Sequence, residues 1–143
     1  MSFNTTFAND LLKLILNATA IANIADNAAS SPLTNLYIAL HTADPGAGGD
    51  QTASEAAYTS YARVAKARTS GGFTVTGAVA TPAADITFPA GTGGGGTATY
   101  WSVGTASTGT GKVLVRGTIS PSIVMGAGVT PIIDAASTLT LGT

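Results

Sequence analysis

The sequence of 143 residues contains no cysteine and few charged residues. Without cysteine, neither a disulfide framework nor a thiolate metal site can form. Only 9% of the residues are charged, whereas about 25% is typical of soluble domains. So little charge predicts either that neighbouring subunits cover part of the surface or that uncharged Ser, Thr and Gly residues make up most of it.

Basic residues are not in excess, since six Lys and Arg stand against seven Asp and Glu. A protein whose main partner is nucleic acid needs positive charge to neutralise phosphates, so no such partner is expected. The apolar stretch Leu11–Ala22 has no Lys or Arg before it, which disfavours a signal peptide. It is also shorter than the roughly 20 apolar residues that span a bilayer, so no membrane partner is expected.

The N-terminal region predicts a helix over residues 5–18. Phe7, Leu11 and Ile15 recur at a spacing of four residues, and further leucines widen the apolar face. A helix with so broad an apolar face must be buried. Two arrangements remain open, in which the helix packs on its own sheet or on a neighbouring subunit. We expect residues 1–32 to form a helical arm, within which residues 18–29 can continue the helix.

The remainder, residues 33–143, predicts a single β domain. Gly, Pro, Ser and Thr turns separate short runs rich in Val, Ile and Thr. The predicted strands cover residues 36–41, 61–68, 73–79, 85–88, 97–105, 112–120, 123–125, 131–133 and 138–141. Short strands at this spacing are typical of antiparallel sandwiches. We therefore predict a mainly β fold, an antiparallel β-sandwich of jelly-roll type with an N-terminal helical arm.

A long polar connection, residues 42–59, contains three of the seven carboxylates, Asp44, Asp50 and Glu55. Connections of this length are usually functional or mobile. Oxygen ligands on a glycine-rich loop suit Ca²⁺, but the spacing lacks the alternating ligands of an EF-hand. A solvated loop or an arm that contacts another subunit is the preferred interpretation, and no metal is expected.

Positive charge is concentrated in the predicted strand Tyr61–Arg68, which contains Arg63, Lys66 and Arg68, half of the basic residues. Charged side chains fall on both faces of this strand. Such a strand is usually a sheet edge or lies against a partner. We therefore treat these three residues as candidates for an interface.

No pattern of catalytic residues is recognisable. His41 is the only histidine and must serve any triad, yet no serine lies in a G-x-S-x-G turn. Gly91, Gly93 and Gly96 match G-x-G-x-x-G in letters only, because a predicted strand and not a helix follows. We expect no enzymatic activity and no cofactor, and we expect His41 to be a hydrogen-bonded structural residue.

Four aromatic residues, Tyr58, Tyr61, Tyr100 and Trp101, leave two interpretations open. Aromatic side chains are enriched at interfaces, so they can form a platform for a sugar or a protein. Alternatively, Trp101 and one tyrosine fill the core of the sandwich. A sugar-binding platform would favour a receptor-binding fibre.

Four stretches of the chain resemble a family of small structural proteins of tailed bacteriophage virions, often labelled tail fibre proteins. They are Leu36–Gly46, Tyr61–Val64, Ile86–Pro89 and Asn9–Ile15. The resemblance covers most of the chain and implies a part of the virion. We take it to imply a capsid decoration, or cement, protein on the outer surface of the head, assembled in the cytoplasm of the bacterial host.

That resemblance implies two partners, the major capsid protein and further copies of the same chain, expected as a trimer. The residues expected to contact them are Phe7, Leu11 and Ile15 of the helix, Asp50 and Glu55 of the long connection, and Arg63, Lys66 and Arg68. A tail component, either a fibre or a tip subunit that contacts the host, is the first alternative. A free carbohydrate-binding module is the second.

Overall fold

The computed structural model describes residues 5–21 and 32–142. They form one helix and nine strands: α1 (Thr5–Asn17), β1 (Asn35–His41), β2 (Val64–Ala67), β3 (Phe73–Thr76), β4 (Val79–Pro82), β5 (Ile86–Thr87), β6 (Gly95–Gly104), β7 (Val113–Gly126), β8 (Ile132–Ile133) and β9 (Leu139–Thr140). The pairings of β1 with β6, β6 with β7, β3 with β4, β4 with β9 and β5 with β8 are all antiparallel. The predicted mainly β class with an N-terminal helix is confirmed.

The chain divides into two compact units, each assembled from separate segments. The first comprises Met1–Asn35, Lys66–Asp85 and Asp134–Thr143, and the second comprises Leu36–Ala65 and Ile86–Ile133. The predicted division into residues 1–32 and 33–143 stays a prediction. Residues 22–29 of the proposed helical continuation, 18–29, lie outside the described residues.

In the first unit, α1 packs on β3 and β4 of a sheet with the order β3-β4-β9. The helix buries Ala8, Leu12 and Leu16, which recur every four residues and so lie along one stripe. Phe73 and Leu139 are also buried in this unit. The sequence left open whether the helix packs on its own sheet or on a neighbouring subunit. The described part of the helix packs on a sheet of its own chain.

The helix ends at Asn17, one residue before the predicted end. Ala18 has φ of 53°, in the left-handed region that disfavours residues with a side chain. The amide of Thr19 then donates to the carbonyl of Lys13 (3.1 Å). Residues 18–20 are therefore not helical, and the predicted continuation does not begin where the sequence pattern placed it.

In the second unit, β6, β7 and nearly all of β1 belong to a four-stranded sheet with the order β2-β1-β6-β7, and β5 pairs with β8. The edge strand β2 begins in this unit and ends in the segment that starts at Lys66. β1 lies between two strands and is buried on both faces from Ile38 to His41. This explains why its aliphatic pattern is nearly continuous. Trp101 and Val103 of β6 and Phe88 after β5 are also buried.

Several strand boundaries differ from the prediction. The predicted strand 61–68 is shorter in the structure, where β2 covers only Val64–Ala67, so Arg63 and Arg68 flank the strand. The run predicted as one strand over residues 73–79 is a hairpin of β3 and β4, because Gly77 takes φ of 60° and turns the chain. Conversely, the predicted strands 112–120 and 123–125 form the single strand β7, which continues through Pro121. A shift in its register with β6 between Ala98 and Tyr100 accommodates the extra residues.

Candidate functional site

The structure describes the side chains of two of the three site residues predicted on the helix. Leu11 and Ile15 are half-buried beside the buried stripe of α1. The side chain of Phe7 lies outside the described part of the structure. Any contact of these residues with a partner stays a prediction.

Arg68 interacts with the C-terminal turn of α1. Its Nε donates to the carbonyl of Ile15 (2.6 Å), and its Nη2 donates to the carbonyl of Leu14. Helix C-termini carry unpaired carbonyls and partial negative charge, so a guanidinium stabilises them. Lys66 likewise donates to the carbonyls of Ala84 (3.0 Å) and Asp85 (3.3 Å). Both cations therefore have partners within the first unit.

In the second unit, Arg63 and Glu55 form an ion pair that is largely removed from water. Arg63 Nε donates to Glu55 Oε1 (2.6 Å) and Nη2 donates to Oε2 (2.8 Å), so the contact is bidentate. The side chains are 2% and 18% exposed. The hydrogen bond to Glu55 raises the pKa of Arg63 above its ordinary value, so the cation is firmly held.

The same guanidinium holds the turn between β6 and β7. Arg63 Nη1 donates to the carbonyl of Ala106 (2.9 Å) and Nη2 to that of Gly109 (2.8 Å). Residues 107–110 of this turn are exposed. Arg63 thus joins the long connection to an exposed turn that lies about 45 residues further along the chain. Sequence spacing alone carries no signal for this contact.

Tyr61 extends the ion pair toward the sheet. Its hydroxyl donates to Glu55 Oε1 (3.0 Å) and accepts from the amide of Leu40 (3.1 Å). Burial, followed by the nearby charge of Glu55, raises the pKa of Tyr61 well above its ordinary range. The ring also stacks on Phe88 and meets Tyr58 edge to face, with centroids 6.3 and 5.4 Å apart. Tyr61 therefore packs its ring in the core and also donates a hydrogen bond to the ion pair of Arg63 and Glu55.

His41 is a buried structural residue, as the sequence predicts. It and Ser102 are both 0% exposed. His41 Nδ1 donates to the carbonyl of Ala53 (2.8 Å), since a carbonyl can only accept, and Nε2 therefore accepts from the hydroxyl of Ser102 (2.8 Å). Burial lowers the pKa of His41 below 6.5, so the ring is neutral at pH 7.

Gln51 is a second buried polar side chain of the long connection, and the sequence analysis missed it. Its Nε2 donates to the carbonyl of Tyr37 (3.2 Å), and its Oε1 accepts from the amide of Ala106 (2.9 Å). It fits only because Gly104 and Gly111 lack side chains, since a Cβ at either would lie within 2.1 Å of a Gln51 atom. The glycines are visible in the sequence, but their distant partner is not.

These contacts define the anchoring network, which comprises His41, Gln51, Glu55, Tyr61, Arg63 and Ser102. Backbone bonds support it, because Thr42 donates to Ser54 and Ala56 donates to Leu40, both at 2.8 Å. Every buried side-chain nitrogen and oxygen among the described residues has a partner. The sequence left open whether the long connection is a solvated loop or an arm that contacts another subunit. Through the anchoring network, this connection is tied to β1 and to the exposed turn.

The other two carboxylates of the connection also have partners. Asp44 accepts from the amide of Gly46 (2.8 Å) and from Arg116 Nε (2.7 Å), and these contacts lower its pKa. Asp50 accepts from the hydroxyl and the amide of Thr52, which lower its pKa as well. Within residues 5–21 and 32–142, no three His, Asp or Glu side chains cluster in a way that could hold a metal ion.

The aromatic residues do not form one exposed platform. Trp101 is 4% exposed, and Tyr58 is also buried, with its hydroxyl donating to the carbonyl of Pro89 (2.7 Å). Tyr61 and Tyr100 are half-buried. Of the two interpretations, the structure favours Trp101 as a core residue.

Comparison with known proteins gives one family. Residues 2–141 match the family model described as podophage GP4 fiber I protein gp80. No curated protein matches the chain. None of the described helices is long and apolar enough to cross a membrane. Because the family match spans nearly the entire sequence, the chain belongs to the podophage GP4 fiber I protein gp80 family of phage virion structural proteins.

Proposed function

We propose that this protein is a structural subunit of a phage fibre carried on the tail. The observation that carries the proposal is the match of residues 2–141 to a family described as a fiber I protein. The match covers segments of both compact units. The proposal therefore concerns the protein as a whole and not one part attached to another function.

The anchoring network supports a mechanical role. A virion part must keep its shape outside the cell, and this chain has no cysteine with which to form disulfides. Instead, Arg63 and Gln51 each make hydrogen bonds to two or more distant segments. Polar networks whose members are all satisfied make a structure rigid. Loops held in this way on a sheet are suited to contact another molecule without first being ordered.

The network also changes how the predicted contact residues would act. Arg63 and Glu55 use their charges within the chain, so we propose that they support the loops at an interface instead of touching the partner. Asp50 lies at the start of the same anchored segment and pairs across an isolated bridge with Lys112. The exposed residues 107–110 and 42–44 are then among the surfaces available for contact.

Capsid decoration is the second candidate, and one observation favours it. Trp101 is buried, so the aromatic platform that would have served host sugars is not formed. A decoration protein acts by binding the assembled shell more tightly than its separate parts, which stabilises the shell. The partners this role needs, the major capsid protein and a trimer of the chain, are predictions. Both candidate roles are structural and involve no catalysis and no cofactor.

Immunogold labelling of intact particles separates the two candidates. An antibody raised against this protein should label the tail in negative-stain electron micrographs. Labelling spread over the head would overturn the fibre proposal and support decoration. Preimmune serum on the same particles is the control for non-specific gold.

A further inference from the structure

Residues 50–54 of the long connection form a segment that polar contacts hold to the sheet. Only Gln51 of this segment is buried, and its side chain is bound by hydrogen bonds. Its amide donates to the carbonyl of Gly111 (2.9 Å), and the carbonyl of Ser54 accepts from the amide of Thr42 (2.8 Å). Alanine is the largest apolar residue in the segment. Regions with few buried apolar contacts open at a lower free energy than the unit around them.

The backbone of Ser54 also favours opening of segment 50–54. Its φ of 52° lies in the left-handed region, which costs free energy for a residue with a side chain. Two hydrogen bonds from Thr42, one from its amide and one from its hydroxyl, hold the Ser54 carbonyl in this conformation. Opening of the segment releases the strain at Ser54. The next residue, Glu55, stays fixed by its ion pair with Arg63, so the opening can remain local.

His41 lies beneath the segment and holds Ala53 to β6. The ring stands between the carbonyl of Ala53 and the hydroxyl of Ser102, at 2.8 Å from each. Both contacts suit the neutral ring, in which one nitrogen donates and the other accepts. A protonated ring carries hydrogen on both nitrogens, so Ser102 loses the acceptor for its hydroxyl. The positive charge would also lie at a position that is 0% exposed.

The charged groups near His41 are already paired with one another. Around the ring lie Asp44 and Glu55 of the connection, Tyr61 and Arg63, which bind Glu55, Tyr100, which is opposite His41 on β6, and Arg116 of β7, which binds Asp44. Glu55 pairs with His41 across an isolated antiparallel bridge. Because both carboxylates are engaged by arginines, neither is free to stabilise an imidazolium in the closed form.

We propose that His41 is an acid-sensitive switch for the long connection, whose protonation releases segment 50–54 from the sheet while β1 and β6 stay paired. Opening exposes the ring to water, where it takes up a proton without the cost of burial, so acid stabilises the open form. Release also withdraws Gln51 from the amide of Ala106, which loosens the turn between β6 and β7. The proposal is independent of which virion surface the protein occupies.

A single proton determines how strongly the opening depends on pH. Above about pH 6.5 neither form binds the proton, so the opening constant does not change with pH. Burial lowers the pKa of His41 in the closed form. Between about pH 6.5 and that lower value only the open form takes up the proton, and the opening constant rises up to about tenfold for each pH unit. Below the pKa of the closed form, both forms are protonated and the constant levels off.

Amide hydrogen exchange, followed by NMR at a series of pH values, tests the switch. Protection factors correct for the intrinsic effect of pH on exchange. The amides of Thr42, Gln51 and Ala106 should be less protected than those of the β1–β6 ladder at every pH. Their protection should fall up to about tenfold per unit below pH 6.5. The NMR titration of His41, the only histidine, gives the pKa of the closed form, at which this fall should end.

Two variants identify the titrating group. His41→Gln keeps a donor and an acceptor but takes up no proton, so the protection of the same amides should not change with pH. Asp50→Asn removes a carboxylate of the segment itself and should keep the wild-type dependence on pH. If His41→Gln does not fold, the wild-type exchange and the titration of His41 still decide. Segment amides protected as strongly as the ladder, protection that is constant between pH 6.5 and the pKa of His41, or a dependence that persists in folded His41→Gln would overturn the proposal.

Discussion

Arg63→Met removes the cation at the centre of the anchoring network while keeping much of the side-chain volume. It leaves Glu55 with an unpaired charge and the carbonyls of Ala106 and Gly109 without their donor. Breaking a buried ion pair from one side costs about 3–5 kcal/mol. Because Glu55 is 18% exposed, water offsets part of this loss, and we expect about 3 kcal/mol.

Urea denaturation followed by tryptophan fluorescence measures this loss. Trp101 is the only tryptophan and lies in the same unit as Arg63, so its emission reports the unfolding of that unit. A change of 1 kcal/mol moves the melting temperature of a chain this long by about 3–4 °C. The melting temperature should therefore fall by about 10 °C.

Arg116→Met is the matched control, because Arg116 also pairs with a carboxylate, that of Asp44. Its side chain is 35% exposed and that of Asp44 is 42% exposed, and exposed pairs contribute little to stability. Its unfolding free energy should stay close to that of the wild type. The double variant Arg63→Met, Glu55→Gln should be less destabilised than the two single variants together, since it leaves no unpaired charge. Equal effects of Arg63→Met and Arg116→Met, or strict additivity in the double variant, would refute the reasoning.

Three further predictions concern other parts of the two units. Gly104→Ala should lower the unfolding free energy by about 1–3 kcal/mol through overpacking against the buried Gln51. Gly48→Ala should not lower it, because a Cβ at Gly48 meets nothing within 4 Å. The midpoints of urea denaturation compare the two variants. The pKa of His41 is lower in the folded chain than in the unfolded chain, so the unfolded chain takes up a proton first as the pH falls. Stability should therefore be constant above about pH 6.5 and fall as the pH drops from 6.5 toward the folded pKa. Thermal melts at a series of pH values should show this decline, and His41→Gln should remove it. Leu16→Ala should cost about 2–5 kcal/mol because Leu16 is fully buried, and the half-buried Leu11→Ala should cost less in the same thermal melts.

Regular local patterns in the sequence predict much of the fold. The alternating aliphatic residues of β1 and the four-residue spacing in α1 identified both elements within about one residue. The hairpin at Gly77 was missed because Val75 and Val79 continue one alternating pattern across it. The fusion of two predicted strands into β7 was missed because proline usually ends a strand. Pro121 is tolerated within β7 because this strand lies at a sheet edge.

The candidate site was less accessible from the sequence. The polar residues of the long connection are visible in the sequence. The structural role of His41 could be inferred, because a lone histidine at a strand end is usually hydrogen-bonded. The contact of Arg63 with Ala106 and that of Gln51 with Tyr37 depend on which distant segments the fold brings together. No local pattern encodes such pairs, and the burial of Trp101 depends likewise on the packing of the whole unit.

The most direct test of the proposed function is electron microscopy of phage particles made without this protein. A fibre subunit predicts particles with intact heads that lack a fibre on the tail and regain it when the purified protein is supplied. Particles that keep all their fibres and instead have heads that lose stability to heating would contradict the fibre proposal and establish a role in decorating the capsid.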